Sequence, residues 1–189
     1  MSKSFEPNYR VVSSEILYKG KVFDLQLDKL EYHSGNHGER QIAVHPGGAV
    51  VVPVTSDNKA VLVHQFRYPH QKFLYEFPAG KLEPGEDPFI CARRELEEET
   101  GYRSDKIIYL GKVATTPGFC TELLHLYLAL DLVPGETRRE EGEYGMEIHE
   151  FTFDEIDSMI HTNEFYDGKS ITAYTMSRIW LSKNNSADA

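Results

Sequence analysis

Three glutamates, Glu95, Glu98 and Glu99, stand at i, i+3 and i+4 between an Asp87-Pro88 pair and Gly101. Asp87-Pro88 is a helix start: an acidic N-cap, then proline at the first helical position, where its missing N–H leaves no extra gap. Gly101 is a helix stop, because only glycine enters the left-handed conformation of a C-terminal cap freely. The spacing predicts a helix between these signals with three carboxylates on one face, about 5 to 6 Å apart at Cβ. Like charges at that distance repel, so positive charge must sit among them. Hard oxygen ligands suit Mg²⁺, Mn²⁺ or Ca²⁺ rather than zinc. Arg94, four residues before Glu98, is placed to orient a carboxylate through a charge-assisted hydrogen bond. A glutamate-rich helix alone is more often a solvated face, and the surrounding pattern has to decide.

The rest of the chain frames that helix with strands. Glu15 to Tyr18 reads as strand, and Val22 to Tyr32 alternates Phe23, Leu25 and Leu27 against Asp24, Gln26 and Asp28, the period of a half-buried strand. Ser34 to Gly38 is turn chemistry, with a hairpin return through Arg40 to Val44. Ala49 to Val54 and Val61 to Phe66, separated by Asp57-Asn58, read as two core strands joined by a hairpin. Beyond the helix, Ile107 to Val113, Leu123 to Leu132 and Glu147 to Phe153 are strand-like. Thr152-Phe153-Asp154-Glu155 has the form of a capping box opening a short helix, and Ser170 to Leu181 reads as the last helix.

Composition narrows the class. At 189 residues, 40% hydrophobic and 26% charged, the chain has single-domain length and an ordinary soluble balance. A net charge of −10 excludes a general nucleic-acid binder, which needs clustered Lys and Arg to displace counterions. Cys91 and Cys120 allow at most one bridge and no disulfide framework, which fits a reducing compartment. The N-terminal residues lack the apolar run of a secretory signal, and Pro53 breaks the longest apolar stretch, so a cytoplasmic location is expected.

From Gly80 the chain reads Gly80-x5-Glu86-x7-Arg94-Glu95-Leu96-x-Glu98-Glu99-x-Gly101-Tyr102. This resembles the signature of the Nudix hydrolase family at every fixed position. Seven fixed residues at typical frequencies match by chance about once in a million chains of this length. The resemblance implies an α/β fold, the Nudix α/β/α sandwich around a mixed sheet, and hydrolysis of a nucleoside diphosphate linked to another group. It further implies that Glu95, Glu98 and Glu99, with the carbonyl of Ala79, hold a divalent cation, Mg²⁺ or alternatively Mn²⁺. Gly80, Glu86 and Arg94 become supporting residues that order the loop and the carboxylates. Metal ions at such a site shield the anionic pyrophosphate and lower the pKa of a bound water.

Features outside the signature resemble the ADP-ribose and nucleoside diphosphate sugar pyrophosphatase branch. Pro117 lies sixteen residues beyond Gly101 in Thr115-Thr116-Pro117-Gly118-Phe119, and Pro117, Gly118 and Phe119 become substrate-contact candidates. Gln65 to Pro69 and Glu76 to Gly80 resemble segments of the same branch, with Arg67 placed on the pyrophosphate as a bidentate guanidinium. Arg40 is a second, weaker phosphate candidate. Pro134 to Met146 is thirteen residues of mostly Gly, Glu and Arg, and loops of that length in compact domains are often functional. In this branch it supplies the glutamate that takes a proton from the attacking water. Glu140, Glu141 and Glu143 all remain candidates for that base, because the family's Glu-x-Glu fits here only with one residue inserted.

By the same resemblance, residues 1–45 form a β-rich segment that builds a homodimer by exchange, residues 46–183 the Nudix domain, and 184–189 a frayed tail. Tyr18 and Phe23 read first as core or dimer contacts, with stacking on a base as the alternative for each. The expected partner is a small nucleotide sugar, with no nucleic acid and no membrane. Two other readings stand beside it: a nucleoside triphosphate pyrophosphatase, disfavoured by Pro117 and the N-terminal segment, and a catalytically idle module that senses a nucleotide sugar and regulates a partner. The acidity itself is local, since residues 83–99 and 136–155 hold 15 of the 30 acidic residues and only 4 of the 20 basic ones.

Overall fold

The structure, a computed structural model, describes residues 7–139 and 145–184. Two compact units are present, residues 7–46 with Thr116–Glu122, and Gly47–Thr115 with 123–184.

The first unit is an antiparallel meander of β1 (Tyr9–Tyr18), β2 (Asp24–Tyr32) and β3 (His37–Val44), in that order. The β2–β3 hairpin turns at Gly35, whose φ of 85° is open to glycine at little cost. Strand β1 starts six residues earlier than its hydrophobic pattern suggests, because its pairing with β2 slips between Val11 and Ser13 and again between Ile16 and Tyr18. Each bulge shifts the inside-outside alternation by one, so Val11-Val12 and Ile16-Leu17 show no clean period. Segment 116–122 is laced to the end of β3: the Ala43 amide donates to the Phe119 carbonyl at 2.8 Å, and the Thr121 amide to the Ala43 carbonyl at 3.0 Å.

The second unit carries a mixed sheet, as expected. Its strands are β4 (Gly48–Pro53), β5 (Lys59–Arg67), β6 (Lys72–Glu76), β7 (Ala79–Lys81), the two-residue β8 (Tyr102–Arg103), β9 (Lys106–Ala114), β10 (Leu123–Leu130), β11 (Val133–Pro134) and β12 (Glu147–Thr152). Its helices are α1 (Pro88–Thr100), α2 (Phe153–His161) and α3 (Gly168–Asn184). A four-stranded sheet runs β7-β4-β10-β9, with β4 and β10 parallel and the outer pairs antiparallel. A three-stranded antiparallel sheet runs β12-β5-β6.

This arrangement corrects the hairpin expected between Ala49–Val54 and Val61–Phe66. The two runs are neighbours in sequence but each is an interior strand of a different sheet; they meet at the turn, through the Val54–Ala60 bridge and the Thr55 amide on the Lys59 carbonyl at 2.9 Å, and then part. The physical reason lies in burial on both faces. Every residue of β4 is buried, as are Ala60 to Val63 of β5. A continuous apolar run marks a central strand but carries no information about its partners.

Two apolar layers follow from that double burial. On one face of the four-stranded sheet Ala49, Val51, Tyr127 and Ala129 pack with Cys91, Ala92 and Leu96 of α1. On the other, Val50, Val52, Leu124, Leu126 and Leu128 pack with Leu62, Phe77, Ile156, Phe165, Ala173 and Tyr174. Helices thus cover both faces, the α/β/α sandwich that the sequence led one to expect. The capping box at Thr152 and Glu155 forms, with the Thr152 Oγ1 accepting from the Glu155 amide at 3.2 Å and Glu155 accepting from the Thr152 amide at 2.7 Å. No helix among the described residues is long and apolar enough to cross a membrane.

Candidate active site

Helix α1 begins and ends where its sequence signals stand. Asp87 accepts from the Phe89 amide at 2.8 Å, Pro88 occupies the first turn, and Gly101 closes the helix at φ 74° with its amide on the Glu97 carbonyl at 2.8 Å. The orientation of the helix is less ordinary. Its buried face is Cys91, Ala92, Glu95, Leu96, Glu99 and Thr100, so two of the three clustered carboxylates point inward. Glu95 is 7% exposed and Glu99 3%. A solvated acidic face would leave them in water, and burial of this kind requires that each charge be compensated.

Arg94 supplies most of the compensation. Its Nε and Nη2 donate to the two oxygens of Glu86 at 2.9 and 3.0 Å, a bidentate pair. Its Nη1 donates to Glu95 Oε1 at 2.5 Å and Glu98 Oε2 at 3.1 Å. One guanidinium therefore ties the loop before the helix to two carboxylates on the helix itself. That hydrogen bonding holds the Glu86 carboxyl below its ordinary range. Glu99 lies on the other side of the cluster, where its Oε2 accepts from the Ala79 amide at 3.2 Å.

Gly80 is required by proximity rather than by a turn. A Cβ built there would lie 1.8 Å from Glu95 Oε1, and one built on Gly48 would lie 2.4 Å from the Gly80 carbonyl oxygen. Strand β7, pairing Gly80 with Ala49 and Ala79 with Val50, is thereby pressed between β4 and the helix carboxylates. The buried Cys91 thiol, pushed up to about 12 first by burial and then by Glu95 and Glu86, sits 3.6 Å from the Gly80 carbonyl as a packing group and not a nucleophile.

The donor set fits a divalent cation. Glu86, Glu95, Glu98 and Glu99 converge around one guanidinium and one backbone amide, all are hard oxygens, and the cluster keeps excess negative charge that Arg94 alone does not neutralise. Glu95, Glu98, Glu99 and the Ala79 carbonyl are the groups that would hold it.

The remaining sequence candidates fall in different places. Arg67, the pyrophosphate candidate, donates from Nε and Nη2 to the two oxygens of Glu76, each at 2.6 Å. Glu76 is 2% exposed, and Lys169 shares it while also bonding Asp167 at 2.7 Å. Asp167 in turn accepts from Ser170 Oγ at 2.5 Å, and Ser170 accepts from the Phe77 amide at 2.8 Å. Burial alone would raise the Glu76 carboxyl, but the hydrogen bonds of Arg67 and the charge of Lys169 outweigh it and hold the group below its ordinary value. Sequence reasoning missed this buried network. Its signal was Glu76 interrupting the otherwise apolar Phe73 to Phe77 run, on the strand that returns beside Arg67.

Arg40, Pro117, Gly118 and Phe119 belong to the first unit. Arg40 donates to the Tyr32 hydroxyl at 2.9 Å and to the Glu39 carbonyl at 2.8 Å, while Phe119 is 59% exposed. Glu140, Glu141 and Glu143 lie outside the described residues.

A mixed α/β domain whose strand, loop and helix gather four carboxylates, two of them buried on the helix, beside one arginine has a donor set that could hold a divalent cation. The chain belongs to the NUDIX domain family, whose model matches residues 44–174. It is 41% identical over 175 residues to the methanol dehydrogenase activator of Bacillus methanolicus, covering 92% of this chain and 93% of that protein. To the ADP-ribose pyrophosphatase of Bacillus subtilis (strain 168) it is 39% identical over 174 residues, covering 91% and 92%. Among solved structures, an ADP compounds hydrolase superposes with a TM-score of 0.84 over 97% of this chain and 98% of that one, at 20% identity, a likeness of fold.

Two outcomes follow from this geometry. Gly80→Ala must displace the Glu95 carboxylate, and a misplacement of that size costs about 100-fold in turnover, with a raised Mg²⁺ requirement. A Mg²⁺ titration of activity that matches wild type would remove the close approach as the reason for glycine. Glu76→Gln removes the buried charge that Arg67 and Lys169 share, leaving Lys169 only Asp167, and lowers unfolding free energy by about 3 kcal/mol in urea at neutral pH. Because the folded carboxyl titrates below its ordinary value near 4.5, its contribution is present above that pH and lost as pH falls through the folded value. The variant's stability should accordingly decline less steeply than wild type across that acid range.

Proposed function

We propose that this protein hydrolyses the pyrophosphate of a nucleoside diphosphate sugar, with ADP-ribose, GDP-mannose and ADP-glucose as candidates, to a nucleoside monophosphate and a sugar phosphate. The observation that carries this reading is the carboxylate cluster of buried Glu95 and Glu99 with half-buried Glu98, fixed by Arg94 and the Ala79 amide. The extent of the match to an ADP-ribose pyrophosphatase supports the substrate class.

In the reaction a water oxygen forms a bond to one phosphorus, the bridging P–O bond breaks, and the bridging oxygen leaves with the other phosphate. Glu95, Glu98, Glu99 and the Ala79 carbonyl would hold Mg²⁺, or Mn²⁺ in its place, which would supply shielding of the pyrophosphate charge and Lewis acidity toward the attacking water. Arg94 keeps Glu95 and Glu98 in register and clamps Glu86 against the helix. Glu140, Glu141 or Glu143 accepts the proton from the attacking water. Arg67, already positioned by Glu76, presents the rest of its guanidinium to a phosphate oxygen.

A second reading takes the protein as a module that binds a nucleotide sugar and regulates a partner enzyme. The relative named as a methanol dehydrogenase activator favours it; the intact carboxylate cluster favours catalysis, because a sensor has no need of it. We place the protein in the cytoplasm as a homodimer. The first unit supports the dimer: β1 is an edge strand, and Val11, Val12, Ile16, Leu17 and Tyr18 along it are 39 to 64% exposed. An apolar edge left in water is a pairing and aggregation hazard, which a second subunit would cover.

With Mg²⁺ present, a panel of nucleotide sugars should yield nucleoside monophosphate, and Glu98→Gln should suppress release by orders of magnitude. One of Glu140→Gln, Glu141→Gln and Glu143→Gln should lower turnover similarly with little change in substrate binding; three wild-type turnovers would place the base elsewhere. Binding without cleavage across the whole panel would favour the regulatory reading. In sedimentation at micromolar concentration a mass twice that of the chain is expected, and a monomer would remove the dimer.

A further inference from the structure

Strand alternation gives β5 two chemically different faces. Val63, Gln65 and Arg67 share one with their partners Glu76, Leu74 and Lys72 on β6. His64 faces the other way, level with Tyr75 of β6 on one side and Glu147 of β12 on the other. Two residues further along β12, opposite Leu62, His149 lies on that same face. The ligand atoms of His64, Glu147 and His149 all lie within 4.8 Å of one another. Glu147 Oε2 is the common point, 3.9 Å from His64 Nδ1 and 3.2 Å from His149 Nε2.

Aromatic neighbours hold both imidazoles. Tyr75 stacks on His64 with ring centres 4.3 Å apart, and Phe73 packs against the same ring at 5.2 Å. His149 stacks with Phe151 at 6.0 Å and meets Tyr75 edge-on at 5.5 Å. Rings fixed in this way lose little freedom on coordination, and an apolar surround strengthens the bond to a cation. Ligands about 2.0 to 2.2 Å from a tetrahedral ion stand roughly 3.5 Å from each other, so modest ring rotations close the present spacing.

We propose that His64, Glu147 and His149 form a second metal site, specific for Zn²⁺ or a similar first-row transition-metal ion, that ties β12 to β5 on the face opposite Arg67 and Glu76. Two imidazoles and one carboxylate are the donor set of a borderline ion, whereas Mg²⁺ prefers oxygen and keeps its waters. The two sites therefore differ in chemistry as well as position: all-oxygen at α1, mostly nitrogen here. With three protein ligands among the described residues, water completes the coordination. The role is to fasten β12, the strand that follows the acidic segment 136–146, to the middle of its sheet.

The test uses the full chain, stripped with a chelator and then held in excess Mg²⁺ so that the α1 carboxylates are saturated. Zn²⁺ is titrated calorimetrically and by the imidazole resonances in NMR. Expected are one equivalent of Zn²⁺, shifts confined to His64 and His149, and the same binding in Glu98→Gln. The double variant His64→Asn/His149→Asn should lose at least tenfold in Zn²⁺ affinity. Absence of Zn²⁺ binding in excess Mg²⁺, shifts at other histidines, or loss of binding in Glu98→Gln would overturn the site. Should the double variant fold poorly, the wild-type resonances decide: unshifted His64 and His149 signals would leave the cluster as ring packing with an ion pair and nothing more.

Discussion

The repulsion among Glu86, Glu95, Glu98 and Glu99 is the constraint around which this fold is organised. Packing α1 on the sheet turns Glu95 and Glu99 inward, where burying an uncompensated charge costs several kcal/mol. Arg94 answers three of the four with one planar group, two nitrogens on Glu86 and a third shared by Glu95 and Glu98. A lysine would bring equal charge without the fork geometry, so it could not hold loop and helix at once. The backbone conforms to the same demand. Gly80 and Gly48 let β7 lie against the helix at a distance no side chain would permit, and the Ala79 amide that reaches Glu99 belongs to that strand.

A second buried carboxylate shows the same logic with different partners. Glu76 takes Arg67 on two oxygens and Lys169 besides, and Lys169 reaches on to Asp167, which Ser170 helps to hold at the start of α3. The chain thereby links β5, β6 and α3 through charge instead of apolar contact. A buried polar network is weak evidence of stability but good evidence of fixed geometry, since every member is satisfied only in one arrangement. Arg67 is the member with most solvent access, 37% at its side chain. A guanidinium that is both anchored and reachable is pre-ordered for a phosphate, which lowers the entropy lost when one binds.

What could be read in the sequence divides along a physical line. Helix α1 was legible to within a residue because its signals are local: an Asp-Pro start, a glycine stop and a carboxylate spacing that only a helix makes meaningful. The capping box at Thr152 was legible for the same reason. Strand partners were not. The runs around Val51 and Leu62 looked like a hairpin because they are adjacent and apolar, and nothing in either records that one pairs with β10 and the other with β12. Nor could β1 be read to its start, since its bulges erase the alternation that would reveal it. Of the site, the α1 carboxylates and Arg94 were found by spacing, while Glu76 with Lys169, and His64 with His149, come together only through pairings between elements far apart in the chain.

The net charge of −10 belongs to this same account. An acidic protein is a poor host for a pyrophosphate if the acidity is spread over the surface, because every anionic oxygen of the ligand is repelled. Here half of the acidic residues fall in 83–99 and 136–155, and within the first run the structure converts surplus charge into a directed cluster, with two of its carboxylates buried and one arginine setting their orientation. A dication held there, as proposed, would reverse the sign of the field at the point of contact with the substrate. Acidity that would repel a phosphate ligand as a diffuse property would become, on the proposed reading and once confined to one helix face, the means of recruiting it.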